Sequence, residues 1–259
     1  MADVGLDVRN ADLFVGTSAG ARVALDLTSG KPLDEFYQRR VGPDGPPREP
    51  PPTIDFARLR ADVDDAKQAG GSLAEILQRY GALALTAAVG KGYDRRKIVA
   101  TQIPSHAWPT QRVLITAVNA ETGERRAFDR DSGIDLVDAV IATTASFGSP
   151  PMLFDGRHYI DGGYYSSDNA DLAIGYERVL ILALRSPPQA MRLMPIEAGV
   201  EALRDAGAQV EVIHPDDDTL AALVATGGQM SPASGRPAAI AGRLQGRRSV
   251  SEHIASFWR

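Results

Sequence analysis

Two short segments of the chain combine residue types that can carry out acyl transfer. The first is Gly16-Thr17-Ser18-Ala19-Gly20, a G-x-S-x-G pattern between a predicted strand, Asp12 to Val15, and a predicted helix, Ala21 to Leu27. Such a turn lifts the serine hydroxyl out of the core and sets it at a helix N-terminus. There the amides and the helix dipole favour developing negative charge. Gly16 and Gly20 fit a nucleophile held in a strained conformation with neighbouring chain close by. The second segment is Tyr159-Ile160-Asp161-Gly162-Gly163, where Asp161 ends the second strand of a predicted hairpin. Gly162 and Gly163 remove side chains where another segment would approach. Taken singly, each segment also reads as a plain turn. Taken together, with strand and helix in place, they offer a nucleophile and a base.

A serine nucleophile needs a proton acceptor within hydrogen-bond reach. Four histidines are present: His106, His158, His214 and His253. His214 ends a predicted strand, Gln209 to His214, and the order Ser18, Asp161, His214 is that of a serine–acid–histidine triad. Against it, the α/β-hydrolase pattern places several strands before its serine turn, and here that turn begins at Gly16. The alternative is Asp161 itself. A carboxylate with a solution pKa of about 4 is a weak base, but burial and direct contact with the hydroxyl would improve it.

The elements that must position these groups alternate between strand and helix. Asp55 to Gln68 and Ser72 to Val89 have helical apolar spacing. Arg112 to Asn119 reads as a strand, with Arg125 to Phe128 returning antiparallel, and Asp135 to Thr144 reads as a helix. Met152 to Phe154 and His158 to Ile160 flank Asp155-Gly156, a strong two-residue hairpin signal. Arg178 to Leu184 is a continuous apolar run, the pattern of a buried parallel strand, and Ile196 to Ala206 is helical. The implied fold class is α/β: three α/β/α layers around a mostly parallel central sheet, in a single domain over 1–259. Residues 42–53 form a Pro-rich surface loop, and 236–259 a C-terminal helix whose Arg243, Arg247 and Arg248 present either a solvated face or an anionic-lipid contact.

Composition narrows the function. With 44% hydrophobic residues in 259, the chain can bury a large core, and a net charge of -5 argues against a nucleic-acid partner. There is no cysteine, so disulfides and thiolate metal sites are excluded. The first ten residues lack a basic region followed by an apolar run, and no apolar run approaches the roughly 18–20 residues of a membrane span. A cytoplasmic protein, peripheral to a membrane at most, is expected.

The early GTSAG turn followed much later by DGG resembles the Ser-Asp dyad of the patatin-like phospholipases. Ala11 to Val15, Ala145 to Pro151 and Asn169 to Ala173 add to the likeness, which spans about Asp7 to Ala173. The resemblance implies Ser18 as nucleophile, Asp161 as general base, and a lipid or other acyl-ester substrate cleaved through an acyl-enzyme. It implies no metal and no organic cofactor. One family feature has no counterpart here. Members carry a glycine-rich G-G-G-x-R-G type loop, upstream of the serine turn, whose amides form the oxyanion hole. Only Met1 to Asp12 precede the strand here, and Met1 to Leu6 reads as a helix end with a glycine stop. Weak turnover is therefore the expectation, from a shortened start or from a non-catalytic relative that binds lipid or protein.

Overall fold

The computed structural model describes residues 1–43, 45, 49, 55–86, 94–146, 148–184, 193–228 and 231–258. Most of the Pro-rich stretch and Phe147 lie outside them. In chain order the elements are β1 (Leu13–Gly16), α1 (Ala19–Leu27), α2 (Leu33–Val41), α3 (Phe56–Gln68), α4 (Leu73–Thr86), α5 (Arg95–Gln102), β2 (Arg112–Asn119) and β3 (Arg125–Phe128). There follow α6 (Leu136–Thr143), β4 (Met152–Phe154), β5 (Arg157–Asp161), β6 (Arg178–Leu182), α7 (Ile196–Asp205), β7 (Gln209–Ile213), α8 (Asp217–Val224), α9 (Gly235–Arg248) and α10 (Glu252–Trp258).

The centre is β2, buried at every residue after Arg112. Because side chains alternate along a strand, its two faces feed two cores. Val113, Ile115 and Ala117 pack with Ala21, Ala24 and Leu25 of α1, Val99 of α5 and Val140 of α6. Val118 packs with Val63 of α3, Leu77 and Tyr80 of α4, and Ile160 of β5. Helices thus cover both faces, and the α/β layering expected from the sequence is present.

The sheet is mixed. β1 lies parallel to the first half of β2, from Leu13 opposite Arg112 to Gly16 opposite Ile115. β5 runs antiparallel to the end of β2, with Asp161 opposite Ala117. β3 also pairs antiparallel with β2, and β4 with β5. β6 and β7 form a separate parallel pair, packed by α7 into a third core that includes Leu13. Along the apolar run 178–184 only Ile181 and Ala183 are buried; Leu182 and Leu184 are 48% and 59% exposed.

Local chemistry explains several element ends. Asp55 caps α3 by accepting from the Ala57 and Arg58 amides. Asp155 and Gly156 both have positive φ, 51° and 69°, as a tight hairpin requires. Gly5, at φ 85°, closes a short 3₁₀ turn over Ala2–Val4, the glycine stop read from the sequence. The C-terminal tail is two helices rather than one, separated near Ser249 to Ser251. Three of its arginines are paired within the chain: Arg243 with Asp3 and Asp34, Arg247 with Asp3, Arg248 with Asp216 and Asp218.

Helix α1 carries one buried acid. Asp26 is 9% exposed, and burial raises its pKa to about 6 from an ordinary 3.8, against the opposing pull of Arg40 at 3.6 Å. A folded-state pKa above the unfolded one means that stability falls as pH rises from about 4 to about 6. Above that window the penalty is fully present. Asp26→Asn should therefore raise Tm at pH 8 by about 2–4 °C, the shift that about 1 kcal/mol produces in a chain of this size, and lose the gain by pH 4. Thermal unfolding at the two pH values measures it.

Candidate active site

The elbow between β1 and α1 is held at three points. Ser18 has φ 52° and ψ −120°, a conformation that side-chain-bearing residues rarely adopt and that typically costs about 1–3 kcal/mol. Its amide donates to Thr143 Oγ1 at 2.8 Å, at the end of α6. Thr17 Oγ1 lies 2.9 Å from Thr116 Oγ1, in the middle of β2. Gly16 allows α1 to cross close by: a Cβ there would come within 2.5 Å of Ala21 Cα. At Gly20 a Cβ would meet nothing within 4 Å, so packing does not demand glycine at that end of the motif.

Although it stands at the N-cap position, the Ser18 side chain makes no capping bond. Its Oγ instead donates to Asp161 Oδ2 at 2.8 Å, across 143 positions of sequence. The sheet register explains the meeting. β1 advances along β2 as far as Ile115, and β5, running the other way, ends at Ala117. Asp161 is 4% exposed, and its other oxygen accepts the Gly163 amide at 2.8 Å. That bond fixes the carboxylate so that one oxygen faces the serine. The Asp161 amide itself donates to Ala145 O. Gly162 is required by contact, since a Cβ would sit 2.4 Å from Thr116 Oγ1.

Beneath the pair lies a residue that the sequence did not single out for the site. Asn169 is fully buried, in a left-handed conformation with φ 48°. Its Nδ2 has two protons, and its shortest bonds are to Ser166 O at 2.7 Å and Thr17 Oγ1 at 2.9 Å; Thr116 Oγ1 and Gly162 O lie farther, at 3.3 and 3.5 Å. Its Oδ1 accepts from Arg125, which also forms a two-pronged pair with Asp171 and lies over the Tyr165 ring. One amide thus ties the residue before Ser18 to the turn that follows the carboxylate. The spacing from Asp161 to Asn169 carries no periodic signal.

A second, partly buried group flanks the elbow. Glu49 places Oε2 at 2.6 Å from Arg95 Nε and Oε1 at 3.7 Å from Arg22, which lies one turn along α1 from Ser18. Arg95 also donates to the carbonyls of Ile141, Pro150 and Thr144 and to Thr144 Oγ1, clamping the end of α6. His214 follows β7, in the other sheet, and its carbonyl accepts from Gln245.

The site is thus a serine on a strained turn, hydrogen-bonded to a buried carboxylate, in an α/β sheet flanked by helices. The sequence model of the Patatin-like phospholipase family matches residues 5–174, more than half of the 259. The chain belongs to the patatin-like phospholipase family, a family of lipid acyl hydrolases. No curated protein matches it. No helix among the described residues is long and apolar enough to cross a membrane.

The Asn169 network yields a prediction. Each buried donor or acceptor left without a partner costs about 1–3 kcal/mol. Asn169→Gly keeps the left-handed backbone accessible but strands the Ser166 carbonyl, while Thr17 Oγ1 keeps Thr116 as a partner. Urea unfolding should show a loss of about 1–3 kcal/mol, the cost of one such group. A loss under about 0.5 kcal/mol, the ordinary scatter of surface substitutions, would refute the network's role.

Proposed function

We propose that this chain cleaves acyl esters of phospholipids or related lipids through a Ser18–Asp161 dyad and an acyl-enzyme. The observation that carries the reading is the 2.8 Å bond from Ser18 Oγ to the buried Asp161 carboxylate, on an elbow that diverts the serine from capping its helix. Asp161 Oδ2 takes the hydroxyl proton as Ser18 Oγ attacks the ester carbonyl. The carbonyl oxygen becomes an oxyanion. When the tetrahedral adduct collapses, the ester C–O bond breaks and the proton passes to the departing alkoxide. Asp161 then takes a proton from water, which attacks the acyl-serine; the Ser18–acyl bond breaks, the acid leaves, and Ser18 recovers its proton.

The elbow itself offers a donor for the oxyanion. The amides of Gly20 and Ala21 are used by the carbonyls of Thr17 and Ser18. The Ala19 amide, next to the nucleophile, is the first of α1 and has no carbonyl one turn back to accept it. One such donor typically contributes about 10²–10³ in rate. The substrate is met at a lipid surface by peripheral contact.

A fluorophosphonate probe should label Ser18, and Ser18→Ala should abolish the label. Asp161→Asn should slow labelling by about 10²–10⁴, the usual contribution of a general base. His214→Ala should leave the rate unchanged. Mass spectrometry of the labelled peptide gives the site, and labelling that survives Asp161→Asn but not His214→Ala would replace the dyad with a triad.

A further inference from the structure

The mechanism leaves one charged cluster unused. Arg22, Glu49 and Arg95 gather two guanidinium groups around one carboxylate. Arg95 is 8% exposed and bonded through all three of its nitrogens, so its role is fixed. Arg22 differs. Its side chain is 21% exposed, and its contact with Glu49 at 3.7 Å is an ion pair too long for a hydrogen bond. Its Nε is buried and, among the described residues, has no hydrogen-bond partner. Burial pulls the guanidinium below its ordinary pKa, while Glu49 and, at longer range, Asp161 favour its charge. A guanidinium presents five donors in a planar fork suited to phosphate oxygens, and here the Nε donor goes unused among the described residues. In protein interiors a charged donor left in that condition is costly.

Position along the helix gives the vacancy a meaning. Residues one turn apart share a helix face, with Cβ atoms about 5–6 Å apart, and helical side chains lean toward the N-terminus. For Arg22 that direction is toward Ser18. In a glycerophospholipid the phosphate lies only a few bonds from the sn-2 ester, a comparable reach.

We propose that Arg22 forms an anion subsite beside Ser18 that takes a phosphate group, with Glu49 as the resident carboxylate that a phosphate displaces or outcompetes. This rests on the hydrolase reading above and adds to it a preference for phosphate-bearing esters over neutral ones. Glu49 sets the strength of that preference. It neutralises one of the two cations, so its removal takes away the carboxylate paired with Arg22.

The test compares two soluble short-chain competitors with the same acyl group, a lysophosphatidic acid and a monoacylglycerol, in protecting Ser18 of the full chain from a fluorophosphonate. Inorganic phosphate is the third arm. Protection is read as the ratio of labelling rates with and without competitor within each variant, so changes in baseline do not enter. The phosphate lipid should protect at about tenfold lower concentration than the neutral lipid, as one charge-assisted contact implies. That preference should vanish in Arg22→Gln, survive in Arg22→Lys, and grow in Glu49→Gln. Protection by inorganic phosphate at the same concentration as the phosphate lipid would assign the site to free phosphate rather than to a head group. Equal protection by the two lipids in the unaltered chain, or an undiminished preference in Arg22→Gln, overturns the subsite. If Ser18 takes no label, the dyad reading fails alone, and calorimetric binding of the same two lipids decides the subsite by the same criterion.

Discussion

A single hydrogen bond, from Ser18 Oγ to Asp161 Oδ2, is what the surrounding architecture serves. It joins two turns that have no local reason to meet. One carries a backbone conformation that a lone peptide would avoid, the other a carboxylate that water would rather solvate. Neither arrangement persists unless the packing around it is strong enough to impose it. The buried strand β2 supplies that strength. It aligns the ends of β1 and β5 within two residues of each other, and Thr116 between them bonds toward the serine turn on one side and blocks any side chain at Gly162 on the other.

The supporting shell is polar rather than apolar, which is unusual for groups so deeply buried. Thr17, Thr116, Thr143 and Asn169 are all under 9% exposed, and each has a hydrogen-bond partner. Threonine and asparagine are neutral, so they add directional bonds without adding a charge beside Asp161. The charged members stand one step back. Arg125 reaches the centre only through Asn169, and Arg95 only through the end of α6. This separation lets Arg125 and Arg95 brace the site without bonding to the carboxylate themselves.

The frame of the fold was legible because its signals are local. β2 and β3 fall where alternation and turn residues place them, and Asp155-Gly156 marks its hairpin without ambiguity. The elbow was legible because glycine at position 16 answers a close approach that only a helix crossing creates. The helices α2, α5 and α8 were not foreseen; α5 reads RRKIVATQ, too few apolar residues to show a stripe, and its anchor is the buried Arg95. The tail read as one helix because serine at 249 and 251 interrupts it without glycine or proline. Asn169, Arg22 and Glu49 escaped for a different reason. Side chains that pair across tens of residues leave no period in a sequence, and Glu49 lies in a stretch whose prolines speak only of loop.

The span of the serine–carboxylate contact also bears on how the chain is made. Synthesis proceeds from the N-terminus, so Ser18 leaves the ribosome long before Asp161 and Asn169 exist. Until they arrive the hydroxyl lacks its carboxylate partner and its enforced geometry. The contact is therefore a late product of assembly, and its presence reports a completed fold.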